Sequence, residues 1–153
     1  MKPIRNSAKA VIIKENKILL IQNTDENGYW YTLPGGGQCH GETLTDALLR
    51  ECGEELGANV TVGNLIFVRE YIGKNHEFST FDYDQHQVEL MFECFLETNY
   101  ELTNGGVPDE NQVGVVWIDL KELKKHRLYP KVLIKYLSGY KEMKLPIYFG
   151  DVN

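Results

Sequence analysis

The sequence lacks any apolar run near the roughly 20 residues that a helix needs to span a bilayer. The first residues, Met1 to Arg5, are not followed by the apolar core of a signal peptide. Cysteine is scarce, and its three copies form an odd number at spacings unlike any zinc pattern. Such cysteines are typical of reduced thiols. We therefore expect a cytoplasmic protein with no membrane partner.

The sequence also lacks an excess of positive charge, since its formal net charge is −6. Binding to a nucleic-acid polymer relies on Lys and Arg that displace counterions, so no such partner is expected. A small anionic substrate remains compatible with this charge, because a bound metal ion can reverse the local field. The sequence has no Gly-x-Ser-x-Gly motif, and serine hydrolysis is therefore disfavoured.

The remaining composition is that of an ordinary globular domain, with 42% hydrophobic and 25% charged residues in 153. That length suffices for one domain with a single core. The sequence has no internal repeat, low-complexity tract or linker, so we predict a single domain over residues 1–153. Nothing in the sequence decides the oligomeric state, and a homodimer is an open alternative.

Short apolar runs alternate with turn signals in the first third of the chain. The pattern predicts a hairpin of strands 8–14 and 17–22, a polar loop at 24–28, a strand at 29–33 and a glycine turn at 35–37. A helix should follow, with Thr43 as its N-cap, Asp46 completing a capping box and Gly57 ending it.

The rest of the chain again alternates between strands and helices. We predict strands at 60–72 (in one piece or bent at Gly63-Asn64), at 87–96 in a central position and at 113–118. Two short helices should cover 120–127 and 131–137, and polar loops should cover 73–84 and 103–112. This order fits the α/β class, as an α/β/α sandwich around a mixed β-sheet.

The segment from Gly36 to Ala58 carries the strongest functional signal. On its helix, Glu51, Glu54 and Glu55 fall within one sector about 100° wide. Like charges at i and i+4 destabilise an isolated helix by a few tenths of a kcal/mol. A divalent cation such as Mg²⁺, which takes oxygen ligands, is the simplest compensation. The alternative is a solvated acidic face.

The complete spacing resembles the signature of the Nudix hydrolases at every fixed position. Gly36 is followed after five residues by Glu42, after seven more by Arg50-Glu51, after two by Glu54-Glu55 and after one by Gly57. Leu33-Pro34-Gly35 also resembles the usual approach to this box. The resemblance implies the Nudix-type α/β/α fold over most of the chain.

Roles for individual residues follow from the resemblance. It implies that Gly35 supplies a backbone carbonyl to the cation, and that Glu51, Glu54 and Glu55 are the metal-ligating acids. Arg50 would orient these acids by charge-assisted hydrogen bonds, and Glu42 would support the loop. Glycines 36 and 37 would bring the backbone close to metal or phosphate. Glu51 could also take a proton from water.

The implied reaction is hydrolysis of a diphosphate bond, with Mg²⁺ or Mn²⁺ as cofactor. The substrate would be a small nucleoside diphosphate linked to another moiety. An ADP-ribose-like compound or a nucleotide sugar is slightly favoured, because the region 69–89 is long, aromatic and acidic. The alternatives are a nucleoside triphosphate pyrophosphohydrolase and a Nudix-fold module that senses a nucleotide without cleaving it.

Cys39 departs from the family pattern, which often has Glu at this position. The change could loosen the outer shell of the metal site or leave a thiol close to it. A thiol near a helix N-terminus can gain thiolate character, so a catalytic Cys39 is a rival hypothesis. Cys52 and Cys94 are predicted to pack in the core.

Three further groups of residues are candidates for substrate contacts or catalysis. Tyr71, Phe78, Phe81 and Tyr83 could stack on a nucleobase or form a satellite core. His86 and Glu89 could face a ligand or an ordinary sheet surface. By family resemblance, Glu110 in the loop 103–112 could act as a further ligand or base on a glycine-hinged lid, or be a solvated charge.

Overall fold

A computed structural model of the chain describes residues 2–97, 102–103, 105–137 and 146–153. Its described strands form one mixed sheet: β1 (Arg5–Lys14), β2 (Lys17–Asp25), β3 (Gly28–Thr32), β4 (Gly35–Gly37), β5 (Val60–Ile72), β6 (His86–Leu96), β7 (Gln112–Asp119), β8 (Leu128–Tyr129) and β9 (Tyr148–Asp151). The order is β8-β3-β2-β1-β6-β5-β9, with β4 paired to β1 and β7 paired to β2. The pairs β1–β6, β3–β8 and β5–β9 are parallel.

The helices are α1 (Leu44–Leu56), α2 (Ser79–Asp82) and α3 (Val132–Leu137), with 3-10 turns at Gly73–Asn75 and Leu120–Lys125. The caps predicted for α1 are confirmed. The amide of Asp46 donates to Oγ1 of Thr43 across 3.1 Å, and the amide of Thr43 donates to Oδ2 of Asp46 across 3.0 Å. Gly57 ends the helix in the left-handed conformation, at φ 64°.

Hydrophobic clusters cover both faces of the sheet. One cluster joins α1 to alternate residues of β1 and β2, and it includes Ala8, Ala10, Ile12, Leu19, Leu48, Cys52, Leu56 and Cys94. The other joins α3 to the opposite face, and it includes Val11, Ile18, Leu20, Phe67, Met91, Leu123, Leu133 and Leu137. Because strand side chains alternate between faces, each strand contributes to both clusters. The predicted α/β/α sandwich is confirmed, as is the core packing of Cys52 and Cys94.

Strand β1 joins the strands β8, β3 and β2 on one side of the sheet to β6, β5 and β9 on the other. Its first part pairs with β4 and β6, and its last residues pair with β2. The prediction of a central strand at 87–96 is confirmed, because β6 lies between β1 and β5. Strand β5 is one strand with register shifts between Val62 and Phe67, close to the bend that the sequence offered as an alternative.

The hairpin that joins β1 to β2 is confirmed, with Glu15 at φ 51° and Asn16 at φ 61°. Positive φ at both central residues is the signature of a type I′ turn, whose twist matches that of the strands. The prediction of a polar loop at 24–28 was wrong, because the turn is shorter. Strand β2 continues to Asp25, and only Glu26 and Asn27 form the turn.

Other local predictions needed correction. The glycine turn predicted at 35–37 is strand β4, because its backbone pairs with β1. The segment predicted as a helix at 120–127 is a 3-10 turn that ends at Lys125, and the predicted loop 73–84 contains α2. Strands β8 and β9 were not predicted. Asn104, inside the predicted loop 103–112, lies outside the described residues. Among those that are described, no helix is both long and apolar enough to cross a membrane.

Candidate active site

The glycines that precede α1 are fixed against β1. Gly35 pairs with Lys9, and Gly36 pairs with Ala8. Gly35 has φ +117°, and a Cβ there would lie 2.2 Å from the carbonyl oxygen of Ala8. Only glycine fits this conformation and this approach. Pairing with β1 therefore holds the backbone of Gly35, whose carbonyl is the predicted metal ligand.

Gly36 leaves room for the carboxylate of Glu51. A Cβ at this position would lie 2.5 Å from the carboxyl carbon of Glu51. The carbonyl of Gly36 accepts a 3.0 Å hydrogen bond from the hydroxyl of Ser7. At Gly37, a Cβ would lie 2.7 Å from the guanidinium of Arg5. The glycine segment thus passes between an anionic side chain of α1 and a cationic one of β1.

Arg50 forms hydrogen bonds with three acids of the box. Its guanidinium donates to Glu42 through Nε (2.7 Å) and Nη2 (3.1 Å), and through Nη1 to Glu51 (2.8 Å) and Glu54 (3.3 Å). Nη2 also donates to the carbonyl of Gly37 across 3.0 Å. A guanidinium presents five donors in a rigid fork, which suits it to bind several carboxylates at once. The orienting role of Arg50 stays a prediction.

Glu42 is held at the N-terminal side of this network. Besides its two bonds from Arg50, it accepts a 2.9 Å hydrogen bond from the amide of Cys39. The Arg50 hydrogen bonds, followed by the Cys39 amide, lower the pKa of Glu42 to about 2. The Cys39 side chain is exposed, with its Sγ 3.8 Å from Nη2 of Arg50. Glu42 thus joins the loop at Cys39 to Arg50, and its supporting role stays a prediction.

Glu55 differs from the other acids because it is buried, at 4% exposure. The amide of Gly35 donates to its Oε2 across 2.6 Å. Burial raises the pKa of Glu55 to about 7, and the nearby charge of Lys9 opposes that shift. The negative charges of Asp109 and Glu51 raise it further. Perturbed carboxylates of this kind cluster at functional sites.

Lys9 extends from β1 to the same place. Its ammonium donates to the carbonyl oxygen of Gly35, the atom predicted to bind the cation. The sequence analysis missed this residue. A single Lys inside the apolar run Ala-Lys-Ala-Val-Ile-Ile was the available signal, because a charge in a buried strand needs a partner.

The donor set suits a hard divalent cation, since it consists of carboxylates and a carbonyl. A positive charge already lies on the Gly35 carbonyl in the form of the Lys9 ammonium, which supports the fit. Within the described ranges, no three His, Cys, Asp or Glu side chains converge closely enough to hold a metal by themselves. Glu51 and Glu54 point to Arg50, and Glu55 points to the Gly35 amide. To hold one cation together, these carboxylates would have to lie closer to one another.

The loop before β7 packs on the C-terminal end of α1. The amide of Val107 donates to the carbonyl of Glu54 across 3.3 Å, and Nε2 of Gln112 donates to that of Glu55 across 2.9 Å. A Cβ at Gly105 would lie 1.8 Å from the Glu54 carbonyl oxygen. Glu110 and Asp109 are both exposed, and Asp109 is the one whose charge acts on Glu55.

A cavity of about 540 Å³ lies on the sheet next to this loop. It is lined by Thr24, Asp25, Trp30, Arg69, Tyr71, Phe78, Asp82, Gln85, Gln87, Asn111, Arg127, Tyr129 and Asn153. The ring of Tyr129 meets those of Trp30 and Phe78 edge to face, with centroids 6.2 and 5.5 Å apart. Aromatic walls combined with amide and charged groups are typical of a small-molecule site.

A chain of polar contacts links the cavity to the glycine segment. Arg5, which lies over Gly37, donates to Oε1 of Gln87 across 3.3 Å. Gln87 donates to Glu89 across 2.7 Å, and Glu89 pairs with Arg69. Because Gln87 and Arg69 line the cavity, a ligand there would lie beside the box.

The predicted substrate contacts outside the box have different positions. Tyr71 lines the cavity, and its hydroxyl donates to Oδ2 of Asp82 across 2.9 Å. Phe81 is 87% exposed and does not belong to the cavity lining. Glu89 is buried and accepts hydrogen bonds from Arg69 and Gln87. It therefore faces neither solvent nor an open ligand site. The cavity residues Trp30, Arg127 and Tyr129 were not predicted.

Comparison with known proteins identifies the family. Residues 3–137 match the model of the NUDIX domain. The chain therefore belongs to the Nudix family, as the spacing of the box predicted.

Two curated relatives are similar in sequence. One is the low-salt glycan biosynthesis protein Agl8 of Haloferax volcanii, 34% identical over 93 residues, or 60% of this chain and 58% of that protein. The match thus spans less than two thirds of that relative. The other is an uncharacterized Nudix hydrolase, YvcI, of Bacillus subtilis, 25% identical over 127 residues, or 83% of this chain and 73% of that protein.

Solved structures share the fold. An ADP-ribose pyrophosphatase from Streptococcus suis has a TM-score of 0.66 at 20% identity, covering 97% of this chain and all of that one (100%). A Nudix hydrolase from Nitrosomonas europaea has a TM-score of 0.72 at 17% identity, covering 91% of this chain and 89% of that one. At these identities, the likeness concerns the fold.

Proposed function

We propose that this protein is a Mg²⁺- or Mn²⁺-dependent pyrophosphatase that hydrolyses the diphosphate bond of a nucleoside-diphosphate-linked small molecule. The observation that carries the proposal is the arrangement of the box acids. Arg50 draws Glu42, Glu51 and Glu54 together beside the glycine segment, and Glu55 binds the Gly35 amide. A solvated acidic face, the alternative from the sequence, would not bury a glutamate.

The acids and the Gly35 carbonyl would hold the cation. A divalent ion there supplies charge neutralisation for phosphate oxygens and makes a coordinated water more acidic. Glu51 lies against Gly36 and is available to accept the proton of the attacking water. Arg5, above Gly37, places a positive charge where the substrate's phosphates would lie. Arg50 keeps the acids oriented for this task.

The aromatic cavity would bind the part of the substrate beyond the diphosphate. Rings of Trp30, Phe78 and Tyr129 offer surfaces for a nucleobase, and each stacked base is typically worth about 1–3 kcal/mol. Amides of Gln85, Gln87 and Asn111 offer hydrogen bonds for ring edges or sugar hydroxyls. An ADP-ribose-like compound or a nucleotide sugar would use this volume more fully than a triphosphate tail. The fold neighbour from Streptococcus suis is an ADP-ribose pyrophosphatase, so this fold is compatible with a substrate of that kind.

The negative charge and the three unpaired cysteines support small-molecule chemistry in a cytoplasmic setting. Neither a nucleic-acid polymer nor a membrane is proposed as a partner.

The test is a substrate panel with and without metal. ADP-ribose, several nucleotide sugars and nucleoside triphosphates are incubated with Mg²⁺, Mn²⁺ or EDTA, and the cleaved products are identified by mass spectrometry. We expect metal-dependent cleavage into two phosphomonoesters, with linked diphosphates preferred over triphosphates. Metal-dependent release of pyrophosphate from triphosphates alone would favour the triphosphate alternative. Tight nucleotide binding without cleavage of any compound would favour the sensing module.

Substitutions of residues that line the cavity test whether the substrate binds there. Trp30→Ala should raise KM for the best substrate by roughly 10- to 100-fold, in line with the loss of one stacking partner, and change kcat much less. Tyr29→Ala is the matched control, because Tyr29 is exposed and lies outside the cavity lining. An equal effect of both variants, or no effect of either, would remove the cavity from the proposal.

A further inference from the structure

The ammonium of Lys9 lies among the predicted metal ligands. It donates to the carbonyl oxygen of Gly35, whose amide is bound to Glu55. Lys9 also acts electrostatically on the carboxylates of Glu55 and Glu89, both of which are buried. A positive charge therefore already lies where a divalent cation would need oxygen donors.

The pairing of β1 with β4 brings Lys9 and Gly35 together. Lys9 is half-buried in the middle of β1, between the fully buried Ala8 and Ala10. Its cross-strand partner is Gly35, whose backbone pairs with β1 and lies close to Ala8. From this position, the Lys9 side chain reaches the carbonyl of Gly35.

The contact also has an electrostatic reason. An ionised carboxylate that is buried without a compensating charge is strongly unfavourable. In the metal-free protein, the Lys9 ammonium provides part of that compensation for Glu55, although burial still dominates the pKa of that carboxyl. A divalent ion on the same oxygens would repel the ammonium, since both would occupy one small volume.

We propose that the Lys9 ammonium is the resident cation of the metal-free site, and that a divalent ion must displace it from the Gly35 carbonyl in order to bind. The inference rests on the proposed metal-dependent function. The displaced ammonium stays close to Glu89, its other anionic neighbour, so its charge is not left uncompensated. Lys9 would thus set the metal affinity without being a ligand.

The test compares metal binding by Lys9→Met and the parent protein. Met keeps most of the aliphatic stem and removes the charge. Isothermal titration of the metal-free proteins with Mn²⁺ should show affinity at least about tenfold tighter for Lys9→Met, since removing one close positive charge is an effect of this order or larger. Without metal, Lys9→Met should have a lower melting temperature than the parent. Addition of Mn²⁺ should raise the melting temperature of Lys9→Met by more than it raises that of the parent.

Lys17→Met is the matched control. Lys17 is exposed on β2, so this substitution makes the same chemical change away from the site. It should bind Mn²⁺ like the parent. If Lys9→Met does not fold, Lys9→Gln replaces it, since the Gln amide can still donate to a carbonyl without carrying charge.

The outcomes separate the two proposals. Equal or weaker Mn²⁺ binding by the Lys9 variant, with normal binding by the parent, overturns the inference and leaves the proposed function intact. Binding by the variant but not by the parent supports the resident cation and contradicts metal-dependent activity of the natural chain. Failure of both proteins to bind Mn²⁺ contradicts both proposals.

Discussion

The amide of Gly35 and the carboxylate of Glu55 are joined by a 2.6 Å hydrogen bond that ties the residue just before the Nudix box to the last acid of the box. The bond connects residues 20 positions apart, and it lies in the interior at the core-facing side of α1. It favours the ionised carboxylate, whereas burial, the larger effect, favours the protonated one.

The metal-free protein should therefore lose stability as the pH rises through the titration of Glu55. The pKa of this group is about 7 in the folded chain against 4.5 for an ordinary Glu, so the folded state retains a proton that the unfolded chain releases. This contribution to stability is fully present below about pH 4.5 and is lost as the pH rises through about 7. Urea denaturation with EDTA, at about pH 5 and about pH 8, measures the effect.

Glu55→Gln is the matching variant, because its amide oxygen can still accept the Gly35 hydrogen bond but does not titrate. The free energy of unfolding should change less between the two pH values in this variant than in the parent. The same pH dependence in both proteins would show that Glu55 does not titrate in this range.

Arg50→Lys should lower metal affinity or activity by roughly 10- to 100-fold, the usual effect of losing a residue that orients metal ligands. Lys keeps the charge but loses the planar fork through which Arg50 reaches Glu42, Glu51 and Glu54. Titration with Mn²⁺ and steady-state kinetics measure the loss. Arg127→Lys is the control: Arg127 binds Asp25 at the cavity (2.8 Å), so this change should leave metal affinity unchanged. Equal metal affinity in Arg50→Lys and the parent would refute the orienting role.

Breaking the ion pair between Arg69 and Glu89 should destabilise the fold. Both residues are buried, at 6% and 5% exposure, and Nε of Arg69 lies 2.5 Å from Oε2 of Glu89. Burial acts to raise the pKa of Glu89, but the charges of Arg69 and Lys9 prevail and lower it. Arg69→Met should therefore reduce the free energy of unfolding by about 3–5 kcal/mol, because it leaves a buried carboxylate without its partner.

The double variant Arg69→Met/Glu89→Leu should recover much of that loss, since no uncompensated charge remains. Chemical denaturation of the parent, both single variants and the double variant gives the coupling energy. A double variant no more stable than Arg69→Met would mean that the pair is not the source of the loss.

Glu110 stays the predicted base from the loop before β7. Glu110→Gln should lower kcat by roughly 100- to 10,000-fold, the usual range for general-base assistance, with little change in Mn²⁺ affinity. Asp109→Asn is the companion variant, because Asp109 raises the pKa of Glu55. It should shift the pH dependence of metal binding to lower pH and retain most of kcat. A large loss of kcat in the Asp109 variant alone would make Asp109 the base, and no loss in either would leave Glu51.

Local sequence was sufficient for α1 and its chemistry. The cap at Thr43, the stop at Gly57 and the alignment of Glu51, Glu54 and Glu55 depend on residues within one or a few helical turns. The sandwich could also be predicted, because apolar periodicity records which face of each element is buried. Sequence could not predict β4 as a strand, since three glycines have no strand preference and pair with β1 only through its register.

The sequence by itself determined the family and the fold class, and it predicted the set of acids beside Arg50. Tertiary structure alone decided that Lys9 contacts Gly35, that Glu89 is committed to Arg69, and that Arg127 lies beside Asp25. The physical reason is separation along the chain. These contacts join residues 20 to 102 positions apart, and only strand pairing and packing bring them together.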